Sequence, residues 1–380
     1  MSKTYFDKKL CKTFMTGVLA LKTKLAIIVP SLQGGGAERV ITNIVRNINK
    51  NKFDIILILV KKDGPYIDLV PENVSIVNLD SDRVRYSIFK LIKELNYYRP
   101  DVILSTLGHL NLALLIIRPI LKGNPKIIIR EANTPSKNLS KSFSIKNIVF
   151  RYLYKKLYPK ADIILAQCKD MKNDIIGTFN NVDKNKVQYI YNPLDIENIR
   201  KNMKCKNPYD ENEINLLAVG RLTYQKGFDV LINAFKIVVD KLPNARLTIL
   251  GDGELREELQ KQAYDLGIIE KISFAGFKNN PYPYYYYADT YILSSRWEGF
   301  PNSLLEALAC GCKVVSTDCK SGPKEILENN EYGILVPTDD YISLGEGIMK
   351  SINGENKSKD RAKRFDVNNI IKQYEKILIK

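Results

Sequence analysis

Short runs of Ile, Leu and Val alternate along this chain with stretches whose apolar residues recur every three or four positions. The short runs predict buried strands and the spaced ones amphipathic helices. Their alternation predicts parallel sheets with helices on both faces. In the first half the strands are Leu25–Pro30, Asp54–Val60, Val74–Leu79, Val102–Ser105, Lys126–Ile129 and Ile163–Ala166, with helices over Ala37–Asn47 and Tyr86–Leu95. The series restarts at strand Ile214–Val219. It continues through helix Phe228–Asp240, strand Ala245–Leu250, helix Leu255–Leu266, strands Ile272–Ala275 and Thr290–Ser294, helix Ser303–Ala309 and strand Lys313–Ser316. Between the two series, the polar segment from Asn192 to Glu213 holds two prolines and reads as a linker. The chain therefore divides into a leader over 1–23, a first doubly wound α/β domain over 24–192, a linker over 193–213, a second such domain over 214–365 and a closing helix over 366–380. Ligands of such sheets bind at the carboxyl ends of the strands, so two of them face each other across a cleft.

Composition narrows the class. With 45% hydrophobic and 26% charged residues among 380, the chain is a folded globular one, not disordered, collagen-like or stapled by disulfides. No run approaches the roughly 20 apolar residues that span a bilayer; Leu110–Ile117 and Phe14–Leu21 are much shorter. Charge changes the picture more. The net charge is +16, all of it in the first 195 residues, while the remainder sums to zero. A general lysine bias would load both halves. A field confined to one half suits an anionic surface, phospholipid or nucleic acid, at about 1 kcal/mol per basic residue beside an anionic leaflet. The cysteines at 11, 168, 205, 310, 312 and 319 lack paired C-x-x-C spacing and read as reduced, mostly buried thiols, so no metal is expected there. The lysine-rich leader is either a basic membrane-surface segment or a frayed end, and with no cleavable secretory signal the cytoplasm is the expected compartment.

Candidate chemistry sits at strand ends. The first strand runs into Gly34-Gly35-Gly36-Ala-Glu-Arg39, a turn where backbone N–H groups and a helix dipole can hold an anion, or a plain tight connection. Arg39 stands where the last glycine of G-x-G-x-x-G would fall and no P-loop Lys-Ser/Thr pair follows, which disfavours a dinucleotide or ATP loop. In the second domain Gly220-Arg221 and Lys226-Gly227 follow a strand. The two cations suit a diphosphate, as a planar fork and a point charge, or are two solvated charges. Farther on, Glu298-Gly299-Phe300-Pro301-Asn302-Ser303-Leu304-Leu305-Glu306 delivers a carboxylate, a turn and a helix start. Glu306 can bond vicinal ribose hydroxyls, while Ser303-x-x-Glu306 also fits a capping box. His109, the single histidine, faces the cleft after its strand or packs beside the next helix. Asp80-Ser-Asp82 reads as a solvated turn and Tyr282–Tyr287 as a short, half-packed helix.

Several blocks occur in a fixed order over about residues 24–375: Gly34-Gly-Gly-Ala-Glu-Arg, Val219-Gly-Arg-Leu, Lys226-Gly-Phe, Leu250-Gly-Asp-Gly, Phe274-Ala-Gly-Phe, Asn280-Pro-Tyr and the paired Glu298 and Glu306. On these the chain resembles the family 4 (group 1) retaining glycosyltransferases, most strongly in the second domain. The resemblance implies the GT-B fold, two Rossmann-like domains facing across a cleft, the first binding the acceptor and the second a nucleotide diphosphate sugar. It implies that Arg221 and Lys226 hold the donor diphosphate, with the backbone of Asn302, Ser303 and Leu304 on phosphate. Glu306 would take the ribose and Glu298 the transferred sugar, while the loop carrying Phe277 takes the nucleobase. Gly35, Gly36, Gly299 and Phe300 would complete the donor site. His109 would join Glu298 in catalysis, and Arg130, Glu131 and Asn133 would recognise the acceptor.

Preplaced cations and N–H groups would stabilise the charge growing on the leaving diphosphate, so neither metal nor cofactor is expected. The donor substrate would be a UDP-sugar ahead of a GDP-sugar, and the group moved a hexosyl or N-acetylhexosaminyl unit. The acceptor would be lipid-linked or another membrane-held glycan, as in surface polysaccharide or glycolipid synthesis. With the charge split, the expectation is a cytoplasmic enzyme, peripheral at the inner face of the cell membrane, whose partners include an anionic membrane surface and no nucleic acid. The alternatives are a basic nucleic-acid-binding protein with a relict sugar-nucleotide site, for which residues 1–195 offer no recognisable motif, and a GT-B phosphorylase or nucleotide-sugar epimerase.

Overall fold

The computed structural model describes residues 21–138, 145–356, 358 and 360–379; most of the leader, with Cys11, lies outside the described residues. The first domain runs through β1 (Thr23–Val29), α1 (Gly36–Asn47), β2 (Phe53–Leu59), β3 (Ser75–Asn78), α2 (Val84–Tyr98), β4 (Val102–Thr106), α3 (Gly108–Ile117), β5 (Lys126–Arg130), α4 (Pro135–Asn138), α5 (Ile145–Leu157), β6 (Ile163–Ala166), α6 (Lys169–Thr178) and β7 (Val187–Tyr189). The connecting helix α7 (Ile196–Met203) follows. The second domain runs through β8 (Ile214–Val219), α8 (Phe228–Lys241), β9 (Ala245–Leu250), α9 (Arg256–Asp265), β10 (Ile272–Gly276), α10 (Tyr282–Tyr287), β11 (Thr290–Leu293), α11 (Asn302–Cys310), β12 (Lys313–Thr317), α12 (Pro323–Ile326), β13 (Ile334–Val336) and α13 (Tyr341–Asn353), and the chain closes with α14 (Val367–Leu378).

All strand pairs are parallel, in the order β3-β2-β1-β4-β5-β6-β7 in one sheet and β10-β9-β8-β11-β12-β13 in the other. The strands are Ile- and Val-rich because helices cover both faces: Leu25 to Val29 of β1 are fully buried. Right-handed crossovers place α1 on one face of the first sheet and α2, α3 and α5 together on the other. The strand order reverses beside β1 and beside β8, which opens a crevice at the carboxyl ends of each.

Two features exceed the sequence reading. The expected linker contains α7, whose N-terminus is capped by Asp195 accepting from the Asn198 N–H, and which packs on α10 and α11. The closing helix α14 returns to the first domain: Glu375 accepts from Lys52 Nζ at 2.9 Å and from the Asn49 N–H at 3.0 Å. The chain thus crosses between domains twice. One apolar cluster runs from the first sheet into α11 and α14, so the domains share a core as well as a cleft.

Candidate active site in the interdomain cleft

Each domain brings a helix start to the cleft. Gly35 is the N-terminal cap of α1 and Pro301 that of α11, and no side chain caps either end. Asn302 Nδ2 donates to the Gly36 carbonyl at 2.8 Å, so the two starts abut. Their dipoles and N–H groups form a positive region suited to an anion. Gly34 adopts φ +99°, where a side chain is strained, and a Cβ there would lie 3.1 Å from the half-exposed Phe277 ring. At Gly299 a Cβ would lie 2.4 Å from the Ala132 carbonyl oxygen, and Thr134 Oγ1 donates to the Glu298 carbonyl at 2.6 Å. The loops after β5 and β11 therefore meet backbone to backbone. Ser303 does not cap α11: its hydroxyl accepts from Tyr291 at 2.8 Å, and Glu306 is engaged across the cleft, so the capping box is not formed.

Both glutamates are buried and each meets a cation. Lys226 Nζ and Ser295 Oγ each donate to Glu298 Oε1 at 2.6 Å. Arg39, in the first turn of α1, donates to Glu306 Oε1 at 2.6 Å and to the Tyr282 hydroxyl at 3.0 Å, and reaches the Tyr66 hydroxyl at 2.6 Å. Tyr285 donates to the other Glu306 oxygen at 3.4 Å. Burial works to lower the Arg39 pKa, but Glu306, Tyr282 and Tyr66 raise it well above the ordinary value, so the guanidinium stays charged. Arg221 is exposed at the rim, where its charge acts on Glu38 of α1. Burial raises the Glu38 pKa against the lowering by its own N–H, by Arg221 and by the Gly35 N–H.

Arg39 was legible only as a residue standing in for a glycine. Its partner lies 267 positions away, beyond any local pattern. Phe300 departs from the expected donor contact. It is buried, stacked on Tyr191 at 5.2 Å and 5.5 Å from the Phe365 ring, and so anchors the start of α11. Leu304 is likewise buried and can offer only its backbone.

On the first-domain side, His109 opens α3 at the end of β4 and is exposed. Desolvation by the surrounding protein lowers its pKa, which favours the neutral imidazole. Leu107 just before it holds φ +73°, a conformation that costs roughly 1–3 kcal/mol outside glycine and collects at functional sites. Arg130 and Glu131 do not face the cleft as expected; both are buried. Arg130 donates to Asn192 Oδ1 at 2.6 Å, to Tyr374 of α14 at 3.3 Å and to Thr106 Oγ1 at 3.4 Å. Asn192 extends the chain of bonds to Asn302 Oδ1 at 2.7 Å and to the Phe300 carbonyl at 3.0 Å. Glu131 accepts from Tyr158 and, at 3.3 Å, from Asn111 Nδ2, and burial pushes its pKa up to about 7 despite those bonds. Of the three expected acceptor residues only Asn133 is part-exposed.

Two hollows flank the contact between domains. One of about 240 Å³ is lined by Arg39, Tyr66, Asn280, Tyr282, Asn302 and Glu306. The other, of about 540 Å³, opens past Ser136, Asp170, Asn173, Lys320, Ser321 and Lys324. Lys320 there is paired with Asp174, and its carbonyl accepts from the Glu298 N–H at 3.4 Å, which ties this hollow to the sugar-binding candidate. Among the described residues no cluster of His, Cys, Asp or Glu has the makings of a metal site, and no helix is long and apolar enough to cross a membrane. Asp82 forms an exposed pair with Lys61, and Cys310, Cys312 and Cys319 are buried free thiols.

Two family models cover the chain: "Glycosyltransferase Family 4" over residues 34–198 and "Glycosyl transferases group 1" over 199–366. The chain is 32% identical over 361 residues to a Campylobacter jejuni N-acetylgalactosamine-N,N'-diacetylbacillosaminyl-diphospho-undecaprenol 4-alpha-N-acetylgalactosaminyltransferase, covering 90% of this chain and 96% of the relative. A second transferase of that organism, GalNAc-alpha-(1->4)-GalNAc-alpha-(1->3)-diNAcBac-PP-undecaprenol alpha-1,4-N-acetyl-D-galactosaminyltransferase, is 26% identical, covering 93% and 98%. Among solved structures, Anabaena HepE in complex with UDP and glucose superposes with a TM-score of 0.77 at 20% identity, over 94% of this chain and 99% of that one. WaaG, a glycosyltransferase involved in lipopolysaccharide biosynthesis, does so with 0.72 at 15%, over 93% and 99%. The fold shared with these structures is GT-B.

Proposed function

The chain belongs to the group 1 glycosyltransferases of family 4, and from that premise we propose that it transfers a sugar, with retention of configuration, from a UDP-sugar to a glycan carried on a diphospho-lipid. The observation that carries this reading is the meeting of two uncapped helix starts, α1 and α11, beside Lys226 and Arg221. As the bond from the sugar to the diphosphate breaks, charge grows on the leaving group, and dipoles and cations already in place stabilise it without reorganising. Glu306 takes the ribose hydroxyls, Glu298 the hydroxyls of the transferred sugar, Phe277 supports the base over Gly34, and neutral His109 stands on the opposite wall. The acceptor reaches Glu298 through the hollow bounded by Ser136 and Lys320 and passes Asn133, with Arg130 and Glu131 acting from behind as structural supports.

The relatives' names support an N-acetylhexosaminyl donor and an undecaprenol-linked acceptor, and HepE supports UDP as the nucleotide. The enzyme works without a bound metal, in the cytoplasm at the inner membrane face. A panel of nucleotide sugars read by thermal stabilisation tests this, since a ligand at 100 times its Kd adds about 2.7 kcal/mol. A UDP-N-acetylhexosamine that raises the melting temperature with metal chelated, and whose sugar then appears on a diphospho-undecaprenol glycan, is the expected result. No response to any sugar nucleotide would sink the reading and favour the nucleic-acid alternative.

A further inference from the structure

In the first domain α2, α3 and α5 lie side by side on one face of the sheet, and their outer surface is not the polar one that a solvated helix presents. Along α2, Tyr86, Phe89, Lys90, Lys93 and Tyr97 are all exposed and fall on one stripe; Phe89 is 86% exposed and Tyr97 77%. The end of α3 and the turn after it add exposed Ile116 and Ile120. The outer side of α5 adds Ile148, Val149 and Tyr152. Eight large apolar side chains are thus exposed on three adjoining helices, where scattered single ones would be ordinary.

The charges on the same helices are almost all of one sign. Residues 83–99 hold Arg83, Arg85, Lys90, Lys93 and Arg99 against Glu94 alone, while 108–122 and 145–157 hold six further basic residues and no acid. The cation of Arg85 sits 4.6 Å from the Tyr86 ring, and that of Lys156 5.7 Å from the Tyr152 ring. Aromatic and aliphatic tips ringed by Lys and Arg are the composition of a surface that rests in the headgroup region of an anionic bilayer. A second copy of this chain would set two strongly basic faces against each other. Nucleic acid would satisfy the cations but gives no partner for Ile116, Ile120, Ile148 and Val149.

We propose that the outer face of α2, α3 and α5 is the surface by which the protein docks on anionic phospholipid, with Phe89, Tyr97 and Tyr152 entering the interface. It deepens the reading of a membrane-held acceptor and rests on that reading for its use. The three helices start at the carboxyl ends of β3, β4 and the β5 loop, so a face lying on the bilayer sets the cleft mouth beside the lipid surface.

The test is flotation of the full chain with phosphatidylglycerol–phosphatidylcholine vesicles and with phosphatidylcholine alone. The chain should float with the anionic vesicles only, and less as salt rises. Phe89→Ser with Tyr97→Ser should weaken binding roughly tenfold or more, from the apolar area withheld. Lys93→Glu should weaken it several-fold. Tyr264→Ser, an equally exposed tyrosine of the second domain, should change nothing. Equal flotation of the face variants and the parent, or an equal loss in Tyr264→Ser, overturns the proposal, as does salt-sensitive binding to nucleic acid with none to vesicles. Calorimetry with UDP runs alongside. Face variants that keep UDP affinity but lose vesicles support the docking face, whereas a chain that floats without binding UDP leaves the face standing and removes the donor assignment.

Discussion

The two domains share one strand order over six strands, yet they cover the equivalent faces differently. In the second, the crossover helix α10 and its neighbour α11 lie under α7 and under the turn Arg361–Phe365. In the first, among the described residues, the equivalent α2 and α3 pack on each other, with α5 beside α3, and their outer surface is basic and aromatic. Covering a face fixes the helix beneath it, which suits a site whose donors must hold their positions as charge develops. An open face of the same topology is free to meet something larger. The charge split follows the same line, with the positive excess on the domain whose helices are open and a second half whose cations and acids balance.

The largest effect expected is on the covered domain. On the proposed donor reading, Lys226→Ala removes a cation from the diphosphate side and strands the buried Glu298 carboxylate, so transfer should fall by roughly 10²–10³. Steady-state kinetics should put the loss in kcat, because the charge it opposes grows during bond breaking. Normal turnover in this variant would mean that the second domain's fixed charges are not what distinguishes it.

Next comes a test inside the first domain. Folded Glu131 has a pKa of about 7 against an ordinary 4.5, so the folded chain keeps a proton that the unfolded chain releases. Stability from this group is complete below pH 4.5 and is lost as pH rises to about 7, to the extent of about 3 kcal/mol. Glu131→Gln should melt with a visibly flatter dependence over that window. An unchanged pH profile would place Glu131 in contact with water and return it to the acceptor side.

Much of this was written locally in the sequence. Each strand in both series shows as an apolar run because it is buried on both faces, and the restart at Ile214 announces the second domain. What the sequence could not show is pairing across the cleft. Arg130 ends a strand and reads as an acceptor contact, but α14 returns over β5 and buries it against Tyr374, 244 positions away. Ser303-x-x-Glu306 matches a cap so well that only the position of Arg39 reveals the glutamate's other partner. The bare face was hidden for the opposite reason, since Tyr86, Phe89 and Tyr97 fit the helical stripe that ordinarily marks a core. Only the packing tells which side of α2 faces water.

Arg39 joins the two domains, so removing it tests how far they act as one. Arg39→Ala leaves Glu306 buried with Tyr285 near its second oxygen, and on the proposed role of Glu306 at the ribose should weaken UDP about tenfold by misplacing the glutamate. Arg39→Lys should restore part of the affinity, because a point charge replaces the fork. A double-mutant cycle with Glu306→Gln should show coupling; additive losses would mean that the ion pair does not set the glutamate's position.

The smallest effect separates the two glutamates of the second domain. Glu306 and Glu298 lie on one loop and helix, both are buried, and each meets one cation, so proximity alone predicts similar behaviour. Their partners differ, since Glu306 is held from the first domain while Glu298 is held by Lys226 and Ser295 within its own. If Glu306 holds the ribose and Glu298 only the transferred sugar, Glu306→Gln loses a charge-assisted bond to free UDP and weakens it by about tenfold. Glu298→Gln has nothing to lose there, and its affinity for UDP should stay within about twofold of the parent's while transfer slows. Titration calorimetry with UDP, and then with the UDP-sugar, reads the two cases directly. A Glu298→Gln variant that loses UDP as strongly as Glu306→Gln would show Lys226 to be positioned by its glutamate, and would turn the two separate contacts into one electrostatic unit.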